Sequence, residues 1–167
     1  MEQLCDNSLG WSVVSQNKMV VYALIIINKA GGLVYQRDFA EGLNKLSIND
    51  YLVLAGTFHG IHAISTRLNP LLPNDTPSTT SRPLPPSGIE VLETENFRLQ
   101  CFQTLTGTKF LLFTEPQQPN IENIMGMIYG LYADYVMKNP FYSLEMPVRC
   151  EGWERRLVRE VRAVNSR

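Results

Sequence analysis

Cysteine is scarce in this chain. Cys5, Cys101 and Cys150 are odd in number and widely spaced, which excludes a disulfide framework and any zinc-binding spacing. They read as reduced thiols, with Cys101 buried on a strand. Neither sign of charge is in excess: Lys+Arg 15 against Asp+Glu 16 leaves a formal net charge of -1. Nothing global therefore draws the chain to nucleic acid or to an anionic membrane. Long hydrophobic runs are missing too. The longest extends from Met19 to Ile27, far short of the roughly 20 residues of a spanning helix. Residues 1–18 have no basic start, apolar middle or small-residue cleavage site, so the expected location is the cytosol.

Catalytic groupings are equally hard to find. No Ser/His/Asp, Cys/His or paired-carboxylate arrangement stands out. Residues 106–110, "TGTKF", share letters with a phosphate-binding loop, but no helix follows them, so they read as a turn. His59 and His62 are an i, i+3 pair with no third ligand nearby, and metal binding is not expected. No cofactor is expected, and the chain reads as non-catalytic by itself.

What the chain does contain is a core. The hydrophobic fraction is 44% against 19% charged, enough apolar side chain for one folded domain of this length. "VVYALIIIN" is apolar on both alternating sets, with Val21, Ala23, Ile25 and Ile27 on one face and Val20, Tyr22, Leu24 and Ile26 on the other. Such a strand belongs in the middle of a sheet. "NKAGG" turns it into "LVYQRDF", whose Gln36, Arg37 and Asp38 suggest an edge.

Residues 47–68 read as a helix capped by Ser47 and Asp50, with Tyr51, Leu54, Phe58, Ile61, Ile64 and Leu68 as its core stripe. The Gly56-x-x-x-Gly60 pair is expected to allow close packing of this helix on the sheet. Residues 69–88, rich in Pro, Ser and Thr, read as a loop. Three strands follow: "IEVLETE" at an edge, "NFRLQCFQTL" with Phe97, Leu99 and Cys101 inward, and "TKFLLFTE" buried on both faces. A second helix is capped at Asn120. Its core stripe is Ile121, Ile124, Met125, Ile128, Leu131, Tyr132 and Tyr135. A third helix buries Trp153, Leu157, Val161 and Val164, and its Arg155, Arg156, Arg159 and Arg162 read as a solvated face.

The order β-β-α-β-β-β-α-α predicts an α+β domain. Its five-stranded sheet runs 2-1-5-4-3, with the first and last strands paired in parallel. One helix covers one face and two cover the other. Two apolar surpluses remain. On the second helix, Tyr129, Ala133, Val136 and Met137 lie partly off the stripe and are subunit-interface candidates. In the linker "KNPFYSLEMPVRCE", residues 138–151, Pro140 and Pro147 stiffen an unusually apolar loop. Surplus of this kind marks a partner. The bland alternative has Phe141 and Leu144 plugging the gap between the second and third helices.

"NKAGGLVYQ" and "SGIEVLETENFRLQCFQTLTGTKFLLF…KNPFYSLEMPVRCE" resemble the synbindin family of TRAPP complex subunits, from about Met19 to Glu151. The resemblance implies a longin (SNARE-like, profilin-like) domain over 19–167 behind an N-terminal extension, 1–18. It further implies a core subunit of a vesicle-tethering assembly, peripherally associated with ER-to-Golgi vesicles and the cis-Golgi. Implied partners are a second longin subunit, subunits of an α/β fold, and a Rab GTPase for which the assembly is the guanine nucleotide exchange factor. Neither nucleic acid nor direct membrane contact is implied. Asn139, Phe141, Tyr142, Glu145, Met146 and Arg149 are then candidates for Rab docking. The sequence departs from animal members in one respect: "AEGLNKL" (40–46) stands where they carry a PDZ-like insertion. The rival reading is a longin-type small subunit of an adaptor coat, or a SNARE-related regulatory domain.

Overall fold

The computed structural model describes residues 20–68 and 88–166. The expectations for 1–18 and for nearly all of the 69–88 loop fall outside those residues. Five strands and three helices are formed: β1 (Val21–Ile27), β2 (Leu33–Asp38), α1 (Ile48–Leu68), β3 (Val91–Glu93), β4 (Arg98–Gln103), β5 (Lys109–Thr114), α2 (Ile121–Tyr132) and α3 (Glu151–Asn165). A π-helical turn, Ala133–Met137, extends α2.

The sheet order is β2-β1-β5-β4-β3, as the pattern of buried strands predicts. The β1–β5 pair, expected to be parallel, is antiparallel, with Leu24 opposite Leu112 and Ile25 opposite Leu111. The reason lies in the crossover. α1 has 21 residues and so spans about 31 Å, longer than the roughly 20–23 Å of a six- or seven-residue strand and enough to traverse the sheet once. β3 runs the same way as β2. Two tight reversals then leave β5 antiparallel to β1.

Two apolar layers flank the sheet. One gathers Leu24, Ile26, Phe110 and Leu112 under Ile124, Ile128, Trp153, Leu157 and Val161 of α2 and α3. The other gathers Ile25, Ile27, Leu99, Cys101 and Leu111 under Tyr51 and Ala55 of α1. Alternation along β1 breaks at one point. The register shifts between Val21 and Ala23, so Val21 joins the layer of Leu24 and Ile26 rather than that of Ile25. A bulge adds one residue and so reverses the facing of what precedes it.

Ser47 and Asp50 cap α1 reciprocally: the Asp50 amide donates to Ser47 Oγ at 3.2 Å, and the Ser47 amide donates to Asp50 Oδ2 at 3.1 Å. The Ser47 hydroxyl, which donates to Asp50 Oδ2 at 2.7 Å, and then the Ser47 amide hold the Asp50 carboxyl below its ordinary pKa. The expected α1 stripe is correct only at its start. Tyr51 is buried and Leu54 and Phe58 pack against the core, but Ile61, Ile64 and Leu68 are exposed, and Ala55 and His62 are buried instead. From Tyr51 to Leu68 a helix of 3.6 residues per turn falls about 100° short of five whole turns. The expected stripe therefore slides off the sheet. Gly56 and Gly60 also face away from it: a Cβ built on either meets nothing within 4 Å. They do not serve helix-to-sheet packing.

Candidate protein-docking site

α2 delivers the chain to the candidate site. Asn120 occupies its cap position in a left-handed conformation, φ 56°, with no side-chain capping bond; its carbonyl accepts the Ile124 amide at 3.1 Å. Ile121, Ile124, Met125, Ile128 and Tyr132 are buried as expected. The π turn then changes the phase. The Lys138 amide donates to the carbonyl of Ala133, five residues back, at 3.2 Å. A wider turn rotates each residue through a smaller angle. Val136 is thereby swung inward to 1% exposure, while Tyr135 is swung outward.

This corrects the interface set from the sequence. Val136 is core, packed with Tyr132 and Trp153, and offers nothing to a partner. Ala133 is half-buried. Tyr129 and Met137 are exposed, although the Tyr129 ring stands edge-on to Phe102 and Phe110. Tyr135 was expected in the core and belongs instead with the exposed group. No periodicity count could find this, because the count assumes an unbroken α period.

Residues 138–149 form an ordered loop built from short local bonds. Asn139 Oδ1 accepts the Phe141 amide at 3.0 Å, and the Asn139 carbonyl accepts the Tyr142 amide at 3.1 Å. Tyr142 Oη donates to the Met146 carbonyl at 3.0 Å. The Met146 amide donates to Ser143 O at 3.2 Å, and the Val148 amide donates to Val34 O of β2 at 2.9 Å. Glu145 sits in the left-handed region at φ 77°, uncommon for a residue with a side chain.

The loop has an inside and an outside. Tyr142, Val148 and Cys150 pack against the α2–α3 core. Tyr142 lies beside Tyr132, whose hydroxyl is pushed up first by burial and then by its contact with Tyr142. Phe141 is 93% exposed, with Leu144 and Met146 also exposed. Glu145 and Arg149 are exposed as well, and Asn139 is half-buried. The gap-plugging alternative is therefore overturned for Phe141 and Leu144, because Tyr142 fills that place. Of the six candidates, Phe141, Glu145, Met146 and Arg149 point outward. Tyr142 and Asn139 instead shape the loop that presents them.

Elsewhere several polar groups have structural partners. His62 is buried, with Nε2 2.8 Å from Gln103 Oε1 and its ring stacked on Phe58. Lys109 Nζ lies 3.3 Å from His59 Nδ1. Burial, then the neighbouring Lys109, lowers the pKa of His59. Burial pushes the Cys101 thiol up to about 12, which makes it inert. Arg37 of β2 is ion-paired with Glu154 of α3. Two basic residues of α3 are matched by acids one turn away, Arg155 with Glu151 at 2.7 Å and Arg156 with Glu160 at 3.1 Å. Among the described residues, no three His, Cys, Asp or Glu side chains gather where a metal could sit. Nor is any of their helices long and apolar enough to cross a membrane.

The profile of the Sybindin-like family matches residues 21–164, which is nearly all of the described domain. The chain belongs to the Sybindin-like family. It is 46% identical over 141 residues to trafficking protein particle complex subunit 4 of Dictyostelium discoideum, covering 84% of this chain and 96% of that one. Against the subunit 4 of Bos taurus it is 44% identical over 123 residues, 74% of this chain and 51% of the relative. The chain thus spans about half the length of that animal relative. It is also 26% identical over 136 residues to a different protein, trafficking protein particle complex subunit 1 of Dictyostelium discoideum, covering 79% and 87%. The α+β longin-like architecture expected from the sequence is the one the chain adopts.

Proposed function

We propose that this chain is a core subunit of a TRAPP-type vesicle-tethering assembly, and that its 138–149 loop forms part of the surface on which the assembly docks a Rab GTPase of ER-to-Golgi transport. The similarity to subunits 4 and 1 of that complex supports membership. The observation that carries the loop's role is its combination of order and exposure. Phe141 and Met146 stand in solvent on a backbone already held by five hydrogen bonds to defined partners. A preordered loop loses less entropy on docking. An aromatic anchor flanked by Glu145 and Arg149 has the composition of a docking patch with an apolar centre and charged rim.

The chain is not an enzyme by itself in this reading. Exchange follows when the assembly binds the nucleotide-free GTPase better than the loaded one, since the same preference weakens nucleotide affinity by linkage. The loop adds docking energy to that preference. Other subunits, of an α/β fold, complete the surface and disturb the nucleotide pocket. The chain then works in the cytoplasm, reaching vesicles and the cis-Golgi only through the complex.

The test reverses both rim charges, Glu145→Arg with Arg149→Glu, in the assembled complex. The variant should assemble normally and accelerate nucleotide release at least tenfold less than the unaltered complex. Unchanged release by an intact assembly would remove the loop from the Rab surface. Exchange stimulated by the isolated chain would contradict the non-catalytic role.

A further inference from the structure

On the α1 side of the sheet, opposite α2, α3 and the 138–149 loop, lies a cavity of about 390 Å³. That volume and its largely apolar wall are those of a small-molecule site. Ala23 and Phe113, paired across β1 and β5, line it from the sheet, and Tyr51 and Leu54 line it from the start of α1. The segment 40–46 closes over it. That cover is firmly seated. A Cβ on Gly42, at φ 150°, would fall 2.5 Å from Cε1 of Tyr22, so the backbone of the segment rests directly on the Tyr22 ring. The cavity is thus built into the fold, and four aromatic rings line it: Tyr22, Tyr51, Phe97 and Phe113.

The charge of the lining is unbalanced. Among the described residues that line it, Asp38 and Glu41 stand against one cation, Lys45, and all three are exposed. Asp38 Oδ1 accepts the Tyr51 hydroxyl at 2.8 Å. Burial, and then this bond, pushes Tyr51 up to about 12, so at neutral pH Tyr51 stays the donor and the negative charge stays on Asp38. No Lys or Arg of the described residues is ion-paired with Asp38. A carboxylate that accepts one bond has room for more. Aromatic faces attract a cation, and a carboxylate gives it a charge-assisted hydrogen bond. A ligand carboxylate or phosphate would instead meet two like charges and be repelled. We infer that this cavity binds a small apolar ligand carrying a protonated amine, of the arylalkylamine class, with its ring among the aromatic side chains and its ammonium on Asp38. The site lies on the opposite face of the sheet from the Rab-docking loop proposed above and does not depend on that reading.

The probes are phenethylamine and 3-phenylpropionate, an amine and a carboxylate of similar size, titrated into the isotope-labelled full-length chain. Amide shifts in the NMR spectrum at Ala23, Leu54 and Phe113 locate binding. The amine should bind with a dissociation constant below about 1 mM, in keeping with so small a ligand, and the carboxylate at least tenfold more weakly. Asp38→Asn removes the charge and keeps an acceptor for the Tyr51 hydroxyl, so the fold should hold and the tenfold preference should vanish. Leu54→Phe enlarges a half-buried lining side chain and should weaken both probes. Shifts confined to residues outside the cavity, no shifts at millimolar amine, or full binding by Leu54→Phe would overturn the cavity as a site. Equal binding of the two probes by the unaltered chain, or a preference that survives in Asp38→Asn, would overturn the ligand class.

Discussion

The amide of Val148 donates to the carbonyl of Val34 at 2.9 Å. One bond joins the end of the loop after α2 to the edge strand of the sheet. Between Asn139 and that anchor the loop is closed a second time, where Tyr142 Oη meets the Met146 carbonyl. The apolar side chains of the loop are thus displayed from a fixed frame, and each part of the frame makes a separate prediction.

Tyr142→Phe removes the hydroxyl and leaves the ring packed. A single hydrogen bond of this kind contributes about 1 kcal/mol, so the domain should stay folded. Hydrogen exchange should speed up selectively at Ser143 to Met146, with the α2 amides unchanged. Uniform acceleration across α2 and α3 would show that the hydroxyl supports the core rather than the loop.

Val136 and Met137 are neighbours in sequence with opposite fates. Val136→Ala should cost about 2 kcal/mol, as a buried aliphatic truncation does. Met137→Glu should change stability by no more than about 0.5 kcal/mol. Urea unfolding of the two variants, at a common slope, measures both. Equal costs would mean that the π turn does not hold in solution.

The His59 ring, lowered in pKa by burial and then by Lys109, makes stability depend on pH with a definite sign. Its folded pKa lies below its ordinary value of 6.5. As pH falls through that value, the unfolded chain takes up the proton first, so stability falls with it. At pH 8 both states are neutral and the contribution vanishes. His59→Gln should therefore flatten the loss of stability between pH 7 and pH 5 relative to the unaltered chain. An identical slope in both proteins, read from thermal melts, would remove His59 from the account.

Local and central features could be read from the order of residues alone. Strand identity, sheet order and the buried faces of α3 were legible because β-branched runs and helical periodicity report directly on burial. So were the Ser47–Asp50 cap and the proline-bounded apolar loop, since each rests on residues close in the chain. The rest depended on how the elements pack in three dimensions. The direction of β1 against β5 depends on how many times α1 crosses the sheet, which no residue type encodes. The exposure of Ile61 and Ile64 depends on which arc of α1 meets the sheet, and an apolar stripe looks the same whether its own domain or a partner covers it. The burial of Val136 follows from one five-residue hydrogen bond, Lys138 to Ala133, that resets the helical phase. The roles within the loop, Tyr142 inward and Phe141 outward, were set by the single place left vacant against Tyr132 and the α2–α3 core, a matter of shape that one-dimensional spacing does not carry.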